Sequence, residues 1–253
     1  MGRTPCVAGN WKMHTTAEEC VSLCNAVRER VDGLAGVDVA VCPPFVHLER
    51  ARKALEGSSV RVGAQNVHWE AQGAYTGEIS PTMLVGVADI AIVGHSERRQ
   101  YFCETDETVS KRLQAALAHG LTPIFCIGET REEREGGRTE AVLERQLRVG
   151  LNGVAWTGVC VIAYEPVWAI GTGLAATSEQ ANEASAFIRG VVSELYGSEV
   201  AGAMRIQYGG SVKAENAAEL FEQPEIDGAL VGGASLAAQS FAAIVRAAAE
   251  AKR

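Results

Sequence analysis

Three residues far apart in the chain could carry acid–base chemistry and charge stabilisation: Glu165, His95 and Lys12. Each follows a short apolar run. They stand in Tyr164-Glu165-Pro166, in Gly94-His95-Ser96-Glu97-Arg98-Arg99 and in Gly9-Asn10-Trp11-Lys12. Pro166 keeps Glu165 extended and out of a helix, and a glutamate closing an apolar strand is a good general base. An ion pair with Lys12 or an arginine is the plain structural alternative. Ser96 is a candidate cap for a short helix, whose N-terminal amides would disfavour an imidazolium and lower the pKa of His95. The alternative is a histidine satisfied by backbone hydrogen bonds. Lys12 by itself reads as a surface lysine.

Three glycine-rich segments accompany them: Ala169-Ile170-Gly171-Thr172-Gly173, Tyr208-Gly209-Gly210-Ser211 and Val231-Gly232-Gly233-Ala234-Ser235. Glycine lets backbone amides close on a phosphate and form anion-binding nests. Gly232-Gly233 is expected to lead into the last helix, whose N-terminus favours an anion. Singly each pair reads as a tight turn; together they favour phosphate. Gly171 to Ala176 also fits a dinucleotide fingerprint, which must follow a strand directly and open a helix. Here Glu165 to Ile170 intervene, and the first strand is followed by Gly9-Asn10-Trp11-Lys12 instead. The five histidines show no metal-ligand spacing with the cysteines.

The elements that must position these residues are short, mostly continuous apolar runs, as in strands buried on both faces. They are Cys6–Gly9, Val37–Cys42, Val60–Ala64, Ile90–Val93, Thr122–Ile127, Val159–Tyr164, Arg205–Tyr208 and Gly228–Val231. Their spacing fits βα units of about 30 residues. Helical patterns lie between them, at Glu18–Arg30, Thr139–Val149, Ser235–Ala249 and from the capping box at Thr177 to about Tyr196. The charged stretch Glu129–Arg138 reads as a solvated helix face and loop. The pattern predicts an α/β fold, a closed (β/α)8 barrel over residues 1–253 as one catalytic domain, with a doubly wound open sheet as the alternative. In such barrels the site lies on the loops after the strands, and the loops after strands 7 and 8 bind phosphate.

With 253 residues and a net charge of −8, the chain does not suit a general nucleic-acid or anionic-membrane binder. The seven cysteines are odd in number, lack a C-x-x-C pair and read as reduced thiols. No apolar run approaches the roughly 18 residues of a membrane span, and Met1–Cys6 lacks the core of a signal peptide. A cytoplasmic protein is expected.

Taken in order, Gly9–Met13, Gln65-Asn66 with Gly77–Pro81, Gly94–Arg99, Cys126–Glu129, Ala163–Gly173, Tyr208–Val212 and Gly232-Gly233 resemble the triosephosphate isomerase family over nearly the whole chain. The resemblance implies interconversion of dihydroxyacetone phosphate and glyceraldehyde 3-phosphate, a step of glycolysis and gluconeogenesis, without cofactor or metal. It implies that Glu165 is the base and His95 a neutral electrophile. Lys12 would supply charge and Asn10 would position the substrate. Gly171, Ser211, Gly232 and Gly233 would hold the phosphate. Pro166–Ala176 would be a lid that excludes water, although Leu174-Ala175-Ala176 departs from the common Lys-Thr-Ala. It further implies a homodimer. The segment Gln65–Ser80 is long for a βα connection, and Gln65, Thr76, Glu78 and Glu97 are its expected interface residues; a self-packed Ω-loop is the alternative. A Schiff-base aldolase, a nicotinamide oxidoreductase and a non-catalytic binding module on the same fold are the competing functions.

Overall fold

Eight parallel strands close into a barrel in sequence order: β1 Cys6–Asn10, β2 Asp38–Cys42, β3 Arg61–Ala64, β4 Ile90–Val93, β5 Thr122–Ile127, β6 Val161–Tyr164, β7 Arg205–Tyr208 and β8 Gly228–Val231. The computed structural model describes residues 2–155, 160–170 and 176–251. Closure comes from β1, which pairs with β2 (Cys6 opposite Asp38) and with β8 (Cys6 opposite Gly228). The open-sheet alternative is excluded, because no strand is left with a free edge.

Side chains alternate across each strand, so one set fills the barrel and the other lies under the helices. Ala8, Ala40, Ile92, Ile124, Cys126, Ala163 and Leu230 belong to the inner cluster. Val7, Val41, Val93, Phe125, Tyr164 and Val231 belong to the larger outer one. The same parity carries inward to Asn10 at the end of β1 and to Glu165 just past β6. A strand buried on both faces needs apolar residues at consecutive positions, which is why these runs read as continuous rather than alternating.

The enclosing helices include α1 Ala17–Val31, α2 Leu48–Ala54, α3 Pro81–Leu84, α4 Ser96–Tyr101, α5 Asp106–Ala118, α6 Arg131–Glu135, α7 Thr139–Gly150, α8 Ser178–Tyr196, α9 Ser198–Ala203, α10 Ala217–Glu222 and α11 Ala238–Ala251. Thr177 and Gln180 form the expected capping box of α8: each side chain takes the other's backbone N–H, at 3.2 and 3.1 Å. Among the described residues no helix is long and apolar enough to cross a membrane.

Two expectations are corrected. The last helix does not begin at Ser235. The Ser235 amide and hydroxyl both donate to the Gly232 carbonyl, at 2.8 and 2.7 Å, and wind Gly233–Leu236 into a separate 3-10 turn; α11 starts only at Ala238. The charged stretch from Glu129 is not wholly solvated either. Glu129 is fully buried, accepting from the Tyr164 hydroxyl (3.2 Å), Trp168 Nε1 (2.9 Å) and Arg134 Nη1 (3.3 Å).

Candidate active site

At the C-terminal mouth of the barrel lies a cavity of about 530 Å³, lined by Asn10, Lys12, His95, Glu165, Ser211, Gly232 and Gly233 among others. Every expected site residue among the described ones is brought to it. Gly171 lies outside the described residues, as do positions 172–175 of the expected lid.

Glu165 is held on all sides. Its amide donates to the Ile127 carbonyl at 2.7 Å, and its Oε2 accepts from the Ser96 amide at 2.8 Å. Oε1 lies 3.0 Å from His95 Nε2. Beneath it Gly209 is required, because a Cβ there would stand 2.8 Å from Glu165 Cγ. The carboxylate is 2 % exposed. Burial raises its pKa, but His95, the Ser96 amide and Lys12 outweigh this and hold it below the ordinary glutamate value. The group is therefore ionised near neutral pH, as a base must be.

His95 caps α4 with its own ring, Nδ1 accepting from the Glu97 amide at 3.2 Å. That amide needs a lone pair on Nδ1, which leaves the proton of the neutral ring on Nε2, facing Glu165. The lowered pKa expected from the helix end is nevertheless not what the free site has. Burial does push it down, but the Glu165 carboxylate, helped by Glu97, more than reverses this and raises it. No motif around either residue signals that the two side chains touch. Replacing Glu165 with glutamine removes the largest upward influence, so the His95 pKa falls in E165Q. Imidazole 15N shifts measured against pH check this; an unchanged or higher value would contradict the paired geometry.

Lys12 sits in the left-handed region, φ +52°, which is rare for a residue with a Cβ and marks a backbone held by its surroundings. Asn10 Oδ1 accepts from its amide at 3.1 Å, and Gln65 Nε2 donates to its carbonyl at 2.8 Å and to that of Cys42 at 2.9 Å. Its ammonium meets Glu97 Oε1 at 2.5 Å. The ion-pair alternative for Glu165 thus fails in its simple form: Lys12 is bonded to Glu97, and Glu165 to His95.

The glycine loops after β7 and β8, which are neighbouring strands, both line the cavity. A Cβ on Gly210 would collide with the Tyr208 hydroxyl, so that turn requires glycine. Gly232 lies beside the Lys12 stem, with Cε 3.5 Å from where a Cβ would be, while Gly233 faces open space. With Ser211 they place small, glycine-rich backbone in the cavity lining near the Lys12 side chain, the kind of segment whose amides can bind an anion.

The triosephosphate isomerase family model matches residues 5–248. Triosephosphate isomerases of Clostridium perfringens (strain SM101 / Type A) and Carboxydothermus hydrogenoformans are 55% identical to the chain over 246 and 251 residues. That of Moorella thermoacetica is 57% identical over 247. Each alignment covers 96% of this chain and 98% or 99% of the relative. The chain belongs to the triosephosphate isomerase family.

Within this family member, four residues that shape the site carry no catalytic or binding role in the sequence reading. Glu97 and Gln65 stood there only as interface residues, yet one holds the Lys12 ammonium and the other its carbonyl. Cys126 lies inside the barrel in contact with Glu165, and burial together with that carboxylate pushes its thiol far up. Glu129 gathers Tyr164, Trp168 and Arg134 behind the site. Only Glu129, a carboxylate two residues past an apolar strand, had a signal that could have found it. Among the remaining expected interface residues, Thr76 is exposed and Glu78 lies 3.7 Å from Arg112. His68, Trp69 and Tyr75 stack within the 65–80 segment, at 4.2 and 4.5 Å between rings, so it is packed on itself as well as projecting outward.

Proposed function

We propose that the chain interconverts dihydroxyacetone phosphate and D-glyceraldehyde 3-phosphate, with Glu165 moving the proton between neighbouring carbons through an enediolate. The observation that carries this is the 3.0 Å contact of Glu165 with His95 inside a cavity that also holds Lys12 and the two glycine loops. Glu165 takes a proton from the carbon beside the carbonyl and returns it to the next. The oxygen charge that develops meets the His95 Nε2–H and the Lys12 ammonium, donors already in position; such preset donors are often the largest catalytic contribution. Asn10 orients the substrate and steadies Lys12. Ser211, Gly232 and Gly233, with Gly171, hold the phosphate, and Pro166–Ala176 closes over it to exclude water. The proton shuttles among carboxylate, carbons and oxygens, so the atoms balance without a co-reactant.

A Schiff-base aldolase would need the Lys12 nitrogen free to attack a carbonyl, whereas here it is engaged by Glu97 at 2.5 Å. A coupled assay, with glyceraldehyde 3-phosphate supplied and dihydroxyacetone phosphate detected and nothing else added, tests the function. Turnover is expected; no product, or a requirement for nicotinamide, overturns it.

All 253 residues serve as one catalytic domain in this reading, in the cytoplasm, as the free cysteines suit. The active form is a homodimer built around Gln65, Thr76, Glu78 and Glu97. Support comes from large apolar side chains left in water: Met13, Met83, Tyr101 and Phe102 are 94, 61, 67 and 63% exposed. Exposed apolar surface that gathers into one patch marks a protein contact. Light scattering at micromolar concentration is expected to give twice the chain mass, and a fully active monomer would remove the dimer from this account.

A further inference from the structure

Strands β4 and β5 pair only as far as Val93 opposite Phe125. Past that point they part. Gly94 takes φ +73° and turns the chain so that His95 enters the cavity, while β5 runs on through Cys126 to Ile127. The turn has no slack, since a Cβ on Gly94 would stand 2.9 Å from a Val109 methyl. The parted carbonyls are not left without donors. Arg99 Nε donates to the Gly94 carbonyl at 2.8 Å, and its Nη2 to the Cys126 carbonyl at 3.3 Å. The third corner of the guanidinium, Nη1, meets Asp106 Oδ1 at 2.6 Å, and Arg145 Nε holds the other oxygen of Asp106 at 3.0 Å. The Arg99 side chain is 17% exposed.

One planar group therefore joins the backbone just before His95 to the backbone beside Glu165. Cys126 contacts the Glu165 carboxylate from below, and the next residue, Ile127, accepts the Glu165 amide at 2.7 Å. We propose that Arg99 is a positioning residue for the isomerisation: its guanidinium, spanning the carbonyls of Gly94 and Cys126, sets the separation of His95 from Glu165. The proposal rests on the assignment of those two as the reacting pair. Arg99 does not reach the substrate cavity; it acts through two carbonyls. Only a rigid planar fork bonds two carbonyls and a carboxylate at once; a lysine keeps the charge but is a flexible point donor.

The test compares R99K and R99Q with R145Q, which alters the outer end of the same network at a residue whose side chain is 54% exposed. A reacting group displaced by roughly 1 Å loses about 10²-fold in rate, so R99K is expected to lose about 10- to 100-fold in kcat, with KM within about twofold. R145Q stays at the wild-type kcat. The His95 ring 15N signals, read without turnover, shift in R99K and not in R145Q. A wild-type chain without isomerase activity would sink the proposed function; the ring signals would still decide the role of Arg99. Wild-type kcat in R99K, an equal loss in R145Q, or unmoved ring signals would overturn the proposal. Failure of both R99K and R99Q to fold while R145Q folds would also overturn it, because Arg99 would then serve the fold alone.

Discussion

Glu165→Asp lowers kcat by about 10²-fold and leaves KM within a few-fold, since the charge is kept while the carboxylate withdraws by one methylene. The argument depends on whether the backbone can advance to make up the lost length, and its surroundings prevent this. The Glu165 amide is bonded to Ile127 and its carbonyl lies against Gly128, where even a Cβ would collide with it. The neighbouring Tyr164 carbonyl accepts from the Gly209 amide at 2.7 Å. With both flanks fixed, the shorter side chain must leave either the Ser96 amide or the reacting carbon. Binding is largely spared, because the phosphate cradle of Ser211, Gly232 and Gly233 is built on other loops. Steady-state kinetics in both directions measures the split between kcat and KM. A near-wild-type kcat in the aspartate variant would remove Glu165 as the base.

The barrel itself was legible because each strand buries both faces and so announces itself as an unbroken apolar run. β4, β5, β7 and β8 fall on the bounds expected of them. Other edges moved by one or two residues: β2, β3 and β6 begin later, at Asp38, Arg61 and Val161. Asn10 joins β1 opposite Cys42. The candidate residues were legible as residues, because Lys12, His95 and Glu165 follow strand ends. Their partners were not. Nothing in Gly94–Arg99 says that the His95 ring meets Glu165 rather than a backbone group, since that depends on how β4 and β6, distant in sequence, lie in the barrel. The same limit hid Gln65 and Glu97. Both were noticed for their loops, whereas their contacts run across the mouth to Lys12. A capping box is local and could be read; a contact across the barrel is set by closure. The αL backbone of Lys12 was equally silent, because lysine carries no preference for it and the bonds to Asn10 and Gln65 that accompany it come from the fold.

His95→Gln is expected to lower kcat by about 10²–10³-fold, the range for loss of one donor preset to developing oxygen charge. Glutamine can still donate a hydrogen bond, so the size of the loss asks what else the imidazole supplies. Its two nitrogens have separate tasks here. Nδ1 accepts the Glu97 amide at 3.2 Å, and that bond fixes the ring plane at the start of α4. Nε2 points to Glu165 and, with substrate present, to the oxygen atoms that exchange the proton. A glutamine amide can offer its oxygen to Glu97 or its nitrogen to the substrate, but the two atoms share one carbon and cannot span the same distance as opposite edges of a ring. It also cannot give up a proton and take back another, so the enediolate oxygens lose their shuttle while the base on carbon remains. The loss should therefore fall on kcat in both directions, with inhibition by inorganic phosphate unchanged, because among the described residues His95 bonds Glu97 and Glu165 and not Ser211, Gly232 or Gly233. Kinetics with phosphate as a competitive inhibitor separates these outcomes. A glutamine variant with wild-type kcat would mean that donation alone suffices; one whose phosphate inhibition also collapses would mean that His95 holds the cavity together rather than serving the reaction.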